Sequence, residues 1–248
     1  MTGPAFTVRI RRQEDAASKP YWEEFELSFR PGMNVIIVLQ DIQKRPVTKQ
    51  GKRTKPVAWE CSCLEEVCGA CSMVINGVPR QACSTLVEGL DKPVVIEPLI
   101  KFPLVKDLVV DRHSLLDDFK RVMAWIPMDL TDTGPGPRIS QEEQREAYPL
   151  SRCITCGCCL EACPQVNGAS PFMGAAVLNQ ATLMDYHPTG QMNRSGRLAA
   201  VRGKGGLADC GNAQNCARVC PKEIPLVDSI ARLNRRAILD GIGRWLGK

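Results

Sequence analysis

The sequence has no stretch of 18 or more consecutive apolar residues, so no segment has the length and hydropathy of a membrane-spanning helix. It also lacks a charged segment leading into an apolar one at its start. The chain opens Met1-Thr2-Gly3-Pro4-Ala5, and strand-like alternation sets in at Phe6, which argues against a signal or transit peptide. That absence predicts a cytosolic, reducing setting, in which disulfides do not persist. Histidine is scarce: only His113 and His187 occur, and both read as structural. The net charge is a mild +5, with bases and acids interspersed. No basic stripe carries interleaved aromatics, which excludes nucleic acid as a partner. One basic run, Lys49-Gln50-Gly51-Lys52-Arg53-Thr54-Lys55, reads as a solvated loop, with a phosphate or an acidic partner as the alternative.

What the sequence has in excess is cysteine. At 248 residues the chain can bury a core without covalent staples, yet it carries thirteen cysteines. An odd number cannot pair internally, and these fall into three tight groups, at 61–83, 153–163 and 210–220. In a reducing compartment, clustered cysteines point to metal.

The chain changes character near residue 108. Phe6–Arg12 and Phe25–Phe29 read as strands with a charged connection. Asn34–Ile42 is apolar enough for a short buried helix that runs on through Arg45 and stops before Pro46. Ser72–Ile75 and Val78–Gln81 flank Asn76-Gly77, the strongest short hairpin signal, because a type I′ turn needs positive φ at both central positions. Val94–Ile96 reads as a last strand. Beyond it the pattern is helical: Ser114–Trp125, Phe172–Tyr186 and Asp228–Trp245 read as helices, and 131–140 as a loop. On the last helix Ile230, Leu233, Ala237, Ile238, Ile242 and Trp245 recur on one face. Arg232, Arg235, Arg236 and Arg244 add positive charge, while Gly241 and Gly243 weaken its last turns.

Cys63-x4-Cys68-x2-Cys71, followed by Cys83, has the spacing of a plant-type [2Fe–2S] site, which needs four thiolates. Gly69 lets the loop curl so that amide N–H groups aim at the sulfurs, and the Asn76-Gly77 hairpin returns Cys83 to it. A zinc site also uses four cysteines but favours two short pairs far apart, and here a triple precedes a single. Cys61 fits no ligand slot and reads as a small hydrophobe.

Cys153-x2-Cys156-x2-Cys159-x3-Cys163-Pro164 matches the bacterial ferredoxin run, in which the fourth cysteine serves the other cluster. Cys158 lies off register. The second run, Cys210-x5-Cys216-x3-Cys220-Pro221, has Ala213 where the middle ligand would stand. By the crossover rule Cys220 joins Cys153, Cys156 and Cys159 on a [4Fe–4S] cluster. Cys163, Cys210 and Cys216 remain as three ligands, which suit a [3Fe–4S] cluster. A [4Fe–4S] cluster with water or another residue on its fourth iron is the alternative.

With these signatures in place the chain resembles the iron–sulfur subunits of succinate dehydrogenase and fumarate reductase. Leu64-Glu65-Glu66-Val67-Cys68-Gly69, Lys106–Asp111, His187-Pro188-Thr189-Gly190 and Cys220–Leu226 carry the likeness, with the order of the cysteine sites. The resemblance implies an α+β chain: a β-grasp plant-type ferredoxin domain over 1–108, then an α-helical bacterial-ferredoxin-like domain over 109–248. It implies an FAD-containing flavoprotein partner where succinate and fumarate interconvert, and a membrane anchor where quinone reacts. Electrons would pass from the flavin through the [2Fe–2S], [4Fe–4S] and [3Fe–4S] clusters to quinone, on the cytoplasmic side of a bacterial plasma membrane. In ubiquinone-linked members a Trp pair follows the Cys-Pro and a His follows the next ligand. Here Gln165-Val166-Asn167-Gly168 follow Pro164, and Gly211 follows Cys210. Carry-over of the quinone vicinity therefore stops at Pro164, and the pattern is more similar to menaquinone-linked bacterial members. The C-terminal basic helix could rest on the anchor, on anionic headgroups or simply on its own domain. The rival reading is an iron–sulfur subunit of another respiratory or catabolic oxidoreductase. The leading plant-type site and Ala213 count against it.

Overall fold

A computed structural model describes residues 3–127 and 137–246. The chain forms two compact units: Met1–Arg112 with Ile154–Ala162, and His113–Cys153 with Cys163–Lys248. The expected division at 108/109 thus falls four residues early and does not anticipate the 154–162 segment, which packs with the first unit.

In the first unit, strand β1 (Ala5–Arg12) pairs antiparallel with β2 (Tyr21–Ser28) over eight residues. Every second residue of β1 is buried, so Phe6, Val8, Ile10 and Arg12 point inward. β2 is longer than the expected Phe25–Phe29, because an edge strand tolerates charges such as Glu24 and Glu26. The hairpin of β3 (Ser72–Ile75) and β4 (Val78–Gln81) has the expected bounds, with φ of +48° at Asn76 and +76° at Gly77. β5 (Val94–Glu97) lies between, parallel to β1 and antiparallel to β3, giving the order β2-β1-β5-β3-β4. Helix α1 (Val35–Lys44) lays Val35, Ile36, Val38, Leu39 and Ile42 into the core under this sheet. Its N-cap, Asn34, accepts from Ile37 N at 3.0 Å and donates to Cys83 O at 2.9 Å, tying the helix start to the fourth cysteine.

A second small sheet, β6 (Leu104–Lys106) with β7 (Val109–Val110), has no counterpart in the sequence reading. A buried ion pair anchors its turn. Arg12 Nε donates to Asp107 Oδ1 at 2.9 Å, and Asp107 Oδ2 accepts from Ala58 N at 2.9 Å. Arg12 has no exposed surface and also contacts Glu23.

The second unit is helical: α2 (His113–Arg121), α3 (Gln141–Ser151), α5 (Ala175–Tyr186), α6 (Arg194–Arg202), the short α7 (Asn215–Arg218) and α8 (Leu226–Trp245). The short α4 (Cys158–Glu161) belongs to the first unit. Helix α2 ends before the expected Trp125, because Met123 turns to φ +48° and its carbonyl accepts from Arg197 at 3.0 Å. Helix α5 starts at Ala175, not Phe172, because Gly174 at φ +86° sets its first turn. It is buried nearly all round, with Asn179, Thr182 and Asp185 among its buried residues, as suits a central helix. Of the loop expected over 131–140, residues 131–136 lie outside the described residues. On α8 the buried side chains are Leu226, Ser229, Leu233 and Ala237. The expected face is covered only in part, for Ile238, Ile242 and Trp245 are exposed. No helix among the described residues is long and apolar enough to cross a membrane.

Candidate iron–sulfur sites

The loop 61–71 carries the first three expected ligands, and β4 leads into the fourth. Pairing of Ser72 with Gln81, followed by Ala82 N donating to Cys71 O at 3.1 Å, brings Cys83 beside Cys71. Leu64 and Glu66 take φ of +62° and +56°, which turns successive amides inward. Glu65, Val67 and Cys68 N donate to Cys63 Sγ at 3.4, 3.3 and 3.3 Å. Glu66 N donates to Cys83 Sγ at 3.3 Å, and Ala70 N to Cys68 Sγ at 3.4 Å. Sulfurs surrounded by N–H donors are prepared to carry negative charge. The Glu65 and Val67 amides pull the Cys63 thiol down to about 7. Cys71 is buried, and burial pushes its thiol up to about 12. Four cysteines in an amide-lined loop fit a [2Fe–2S] cluster.

Gly69 stands at φ +72°, and a Cβ there would lie 2.8 Å from Ile154 O and 3.0 Å from Cys156 Cα. Segment 154–162 of the ferredoxin-type run therefore lies directly on the first loop. Arg112 joins the two: its Nη1 donates to Gly69 O at 2.7 Å and Cys156 O at 3.3 Å, and Nη2 to Ala70 O at 3.2 Å. Sequence reasoning missed Arg112, which sits in no motif. Cys156 is drawn down to about 7 by a hydrogen bond from Cys158, and that bond together with burial pushes Cys158 up. Cys156 and Cys159 belong to the first unit, Cys153 and Cys220 to the second.

In the second unit, a cavity of about 340 Å³ is lined by Cys163, Cys210 and Cys216. Ala213 forms part of its wall, and Pro164 and Gln165 another part. Asn212 and Gln214 stand at φ +50° and +59°, curving the chain around the cavity. Burial pushes the Cys216 thiol up, and Cys163 and Cys210 act in the same direction. Three thiols and a methyl group on one cavity fit a cluster with three protein ligands. Cys61 is exposed and lines an open groove with Trp59 and Ala70. Among the described residues, no three His, Cys, Asp or Glu side chains form a site for a single metal ion.

A mixed sheet with an amide-lined cysteine loop, followed by a helical unit with ferredoxin-type cysteine runs, defines an iron–sulfur electron-transfer protein. Residues 7–117 match the family model of the 2Fe-2S iron-sulfur cluster binding domain, and residues 149–224 that of the 4Fe-4S dicluster domain. The chain is 54% identical over 244 residues to the succinate dehydrogenase iron-sulfur subunit of Bacillus subtilis, covering 97% of this chain and 96% of that one. It is 31% identical to the fumarate reductase iron-sulfur subunit of Wolinella succinogenes, covering 95% and 98%. A chain of the Mycobacterium smegmatis Sdh1 complex in the apo form has the same fold, with a TM-score of 0.80 at 23% identity over 96% of both chains. The chain belongs to the family of succinate dehydrogenase and fumarate reductase iron–sulfur subunits, the electron-transfer components of those oxidoreductases.

Proposed function

We propose that the chain passes single electrons between a flavoprotein and membrane quinone through three clusters. Cys63, Cys68, Cys71 and Cys83 hold [2Fe–2S]. Cys153, Cys156, Cys159 and Cys220 hold [4Fe–4S], and Cys163, Cys210 and Cys216 hold [3Fe–4S]. The observation that carries this reading is the cavity where those last three cysteines meet Ala213. A methyl group cannot ligate iron, so a cube there would lack a thiolate at one corner. When bound, such clusters supply one-electron carriers whose potentials follow cluster type, hydrogen bonding and exposure. The chain's own residues supply spacing and tuning. The amides of residues 65–68 and 70 aim at the first set of sulfurs, and extra N–H donors favour the more negative, reduced state.

The names of the relatives support succinate and fumarate as the substrates, handled on an FAD-containing partner. The chain lies peripherally on the cytoplasmic face of the plasma membrane, and a membrane-anchor subunit receives the electrons. Exposed Ile238, Leu239, Ile242 and Trp245 near the end of α8 support docking on that anchor. Pro164 and Gln165 stand at the terminal cavity, where quinone would approach. The residues after Pro164 favour menaquinone over ubiquinone.

The test is EPR on the oxidised native complex, with iron counted per chain. About nine irons and the signal of an oxidised three-iron cluster are expected. Absence of that signal would overturn the terminal assignment. Ala213→Cys is expected to abolish the three-iron signal and raise the count to about ten irons. Succinate–quinone reductase activity of the wild-type complex tests the partners.

A further inference from the structure

Two side chains of the first unit have no part in ligation yet are completely buried: Gln81 at the end of β4 and Cys158 in α4. They meet each other. Gln81 Nε2 lies 3.6 Å from Cys158 Sγ and 2.8 Å from Ser72 Oγ, while Oε1 lies 3.6 Å from Cys71 Sγ. Cys158 in turn hydrogen-bonds Cys156. A continuous set of buried polar contacts thus leads from Cys71, a ligand of the first cluster, through Gln81 and Cys158 to Cys156, a ligand of the next.

The amide at the centre of this set has two usable orientations. While Cys71 is a thiol, its S–H donates to Oε1. Once Cys71 binds iron it has no proton to give, and a carbonyl oxygen facing the thiolate is repulsive. A half-turn of the amide exchanges oxygen and nitrogen with almost no displacement of heavy atoms. The N–H then faces Cys71 Sγ, and the oxygen faces the Cys158 thiol, whose single S–H turns from Cys156 to donate to it. The Ser72 hydroxyl, which now donates to Gly69 O at 2.7 Å, is a rotor and follows either arrangement. A hydrogen bond to a cluster sulfur favours the reduced state and raises the potential, and burial strengthens it.

We propose that Gln81, oriented by Cys158, raises the potential of the [2Fe–2S] cluster through Cys71, beyond what the loop amides supply. This rests on the ligand set proposed above for that cluster. Both act as positioning residues, since neither binds iron.

The test is an EPR-monitored redox titration of the [2Fe–2S] signal in the full native complex, for wild type, Gln81→Met, Cys158→Ala and Cys158→Ser, with iron counted in each. Gln81→Met is expected to shift the couple about tenfold toward the oxidised form, a fall of about 59 mV for one electron. Cys158→Ala should give a smaller fall, and Cys158→Ser, which keeps a donor, should restore the wild-type value. If Gln81→Met does not retain its cluster, the two Cys158 variants decide, since they leave Gln81 and every ligand in place. Unchanged potentials in variants that keep the signal would overturn the proposal alone. A wild-type complex with no [2Fe–2S] signal would overturn the ligand set along with it.

Discussion

Gly69 illustrates how a residue can be legible for one reason and needed for another. In the sequence it marks a turn between two cysteines. In the structure its missing Cβ also admits the backbone of Ile154 and Cys156, with Ile154 O only 2.8 Å from where a Cβ would stand. Gly69→Ala meets both a positive φ and a rigid backbone neighbour. A positive φ alone costs about 1–3 kcal/mol, so the variant should unfold at a lower temperature and lose [2Fe–2S] absorbance first. Retention of both would show that the run can move aside. Arg112 serves the same junction from the other side with donors to Gly69, Ala70 and Cys156. Its partners lie 42–44 residues away in the chain, so no local pattern betrays it.

Helix α3 is marked in the sequence by its cap and not by apolar periodicity. Ser140 Oγ accepts from Glu143 N at 3.2 Å, and Glu143 Oε2 accepts from Ser140 N at 3.1 Å, a complete capping box. The apolar pattern behind it is thin, with only Ala147 and Leu150 buried, and Pro149 stands inside the helix. A reading that relies on periodicity passes over such a helix. Ser140→Ala should destabilise the unit by about 1 kcal/mol, measured as a lower thermal midpoint with unchanged cluster spectra. An unchanged midpoint would mean that tertiary packing alone fixes the helix start. Helix α8 shows the opposite: its periodicity marks a helix, but the apolar face runs beyond the part that α5 and α6 cover. Arg202 Nη1 donates to Ala237 O at 2.9 Å, and past that point Ile238, Leu239, Ile242 and Trp245 are exposed.

On the scale of the whole molecule, each unit contains a fully buried arginine that joins distant segments. In the first, Arg12 with Asp107 ties β1 to the second sheet. In the second, Arg197 on α6 pairs with Asp185 on α5 at 2.7 Å and donates to Val122 O, Met123 O and Gly190 O at 3.0–3.2 Å. Arg197→Met leaves Asp185 buried with Arg194 and Arg236 only at 3.5 and 3.6 Å. Removing one partner of such a pair costs about 3–5 kcal/mol. Chemical denaturation should show that loss, and Asp185→Leu combined with Arg197→Met should recover part of it. If the double variant is no more stable than the single one, the carbonyl contacts of Arg197 outweigh the ion pair.

The family, the order of the cysteine sites and the ligands to propose for each are legible in the amino-acid sequence alone. Ligand spacing is a local property of the chain, and a cluster a few ångströms wide can be matched to it directly. The hairpin at Asn76-Gly77 was legible for the same reason, since the turn is encoded within its own residues. Folding is what packs 154–162 with the first unit, sets Arg112 as a clamp on the first loop, and brings Cys163, Cys210 and Cys216 to one cavity with Ala213. It also gave Cys158 a partner in Gln81, 77 residues earlier. Burial and side-chain hydrogen bonding arise from segments that meet only on folding, and no spacing rule records them.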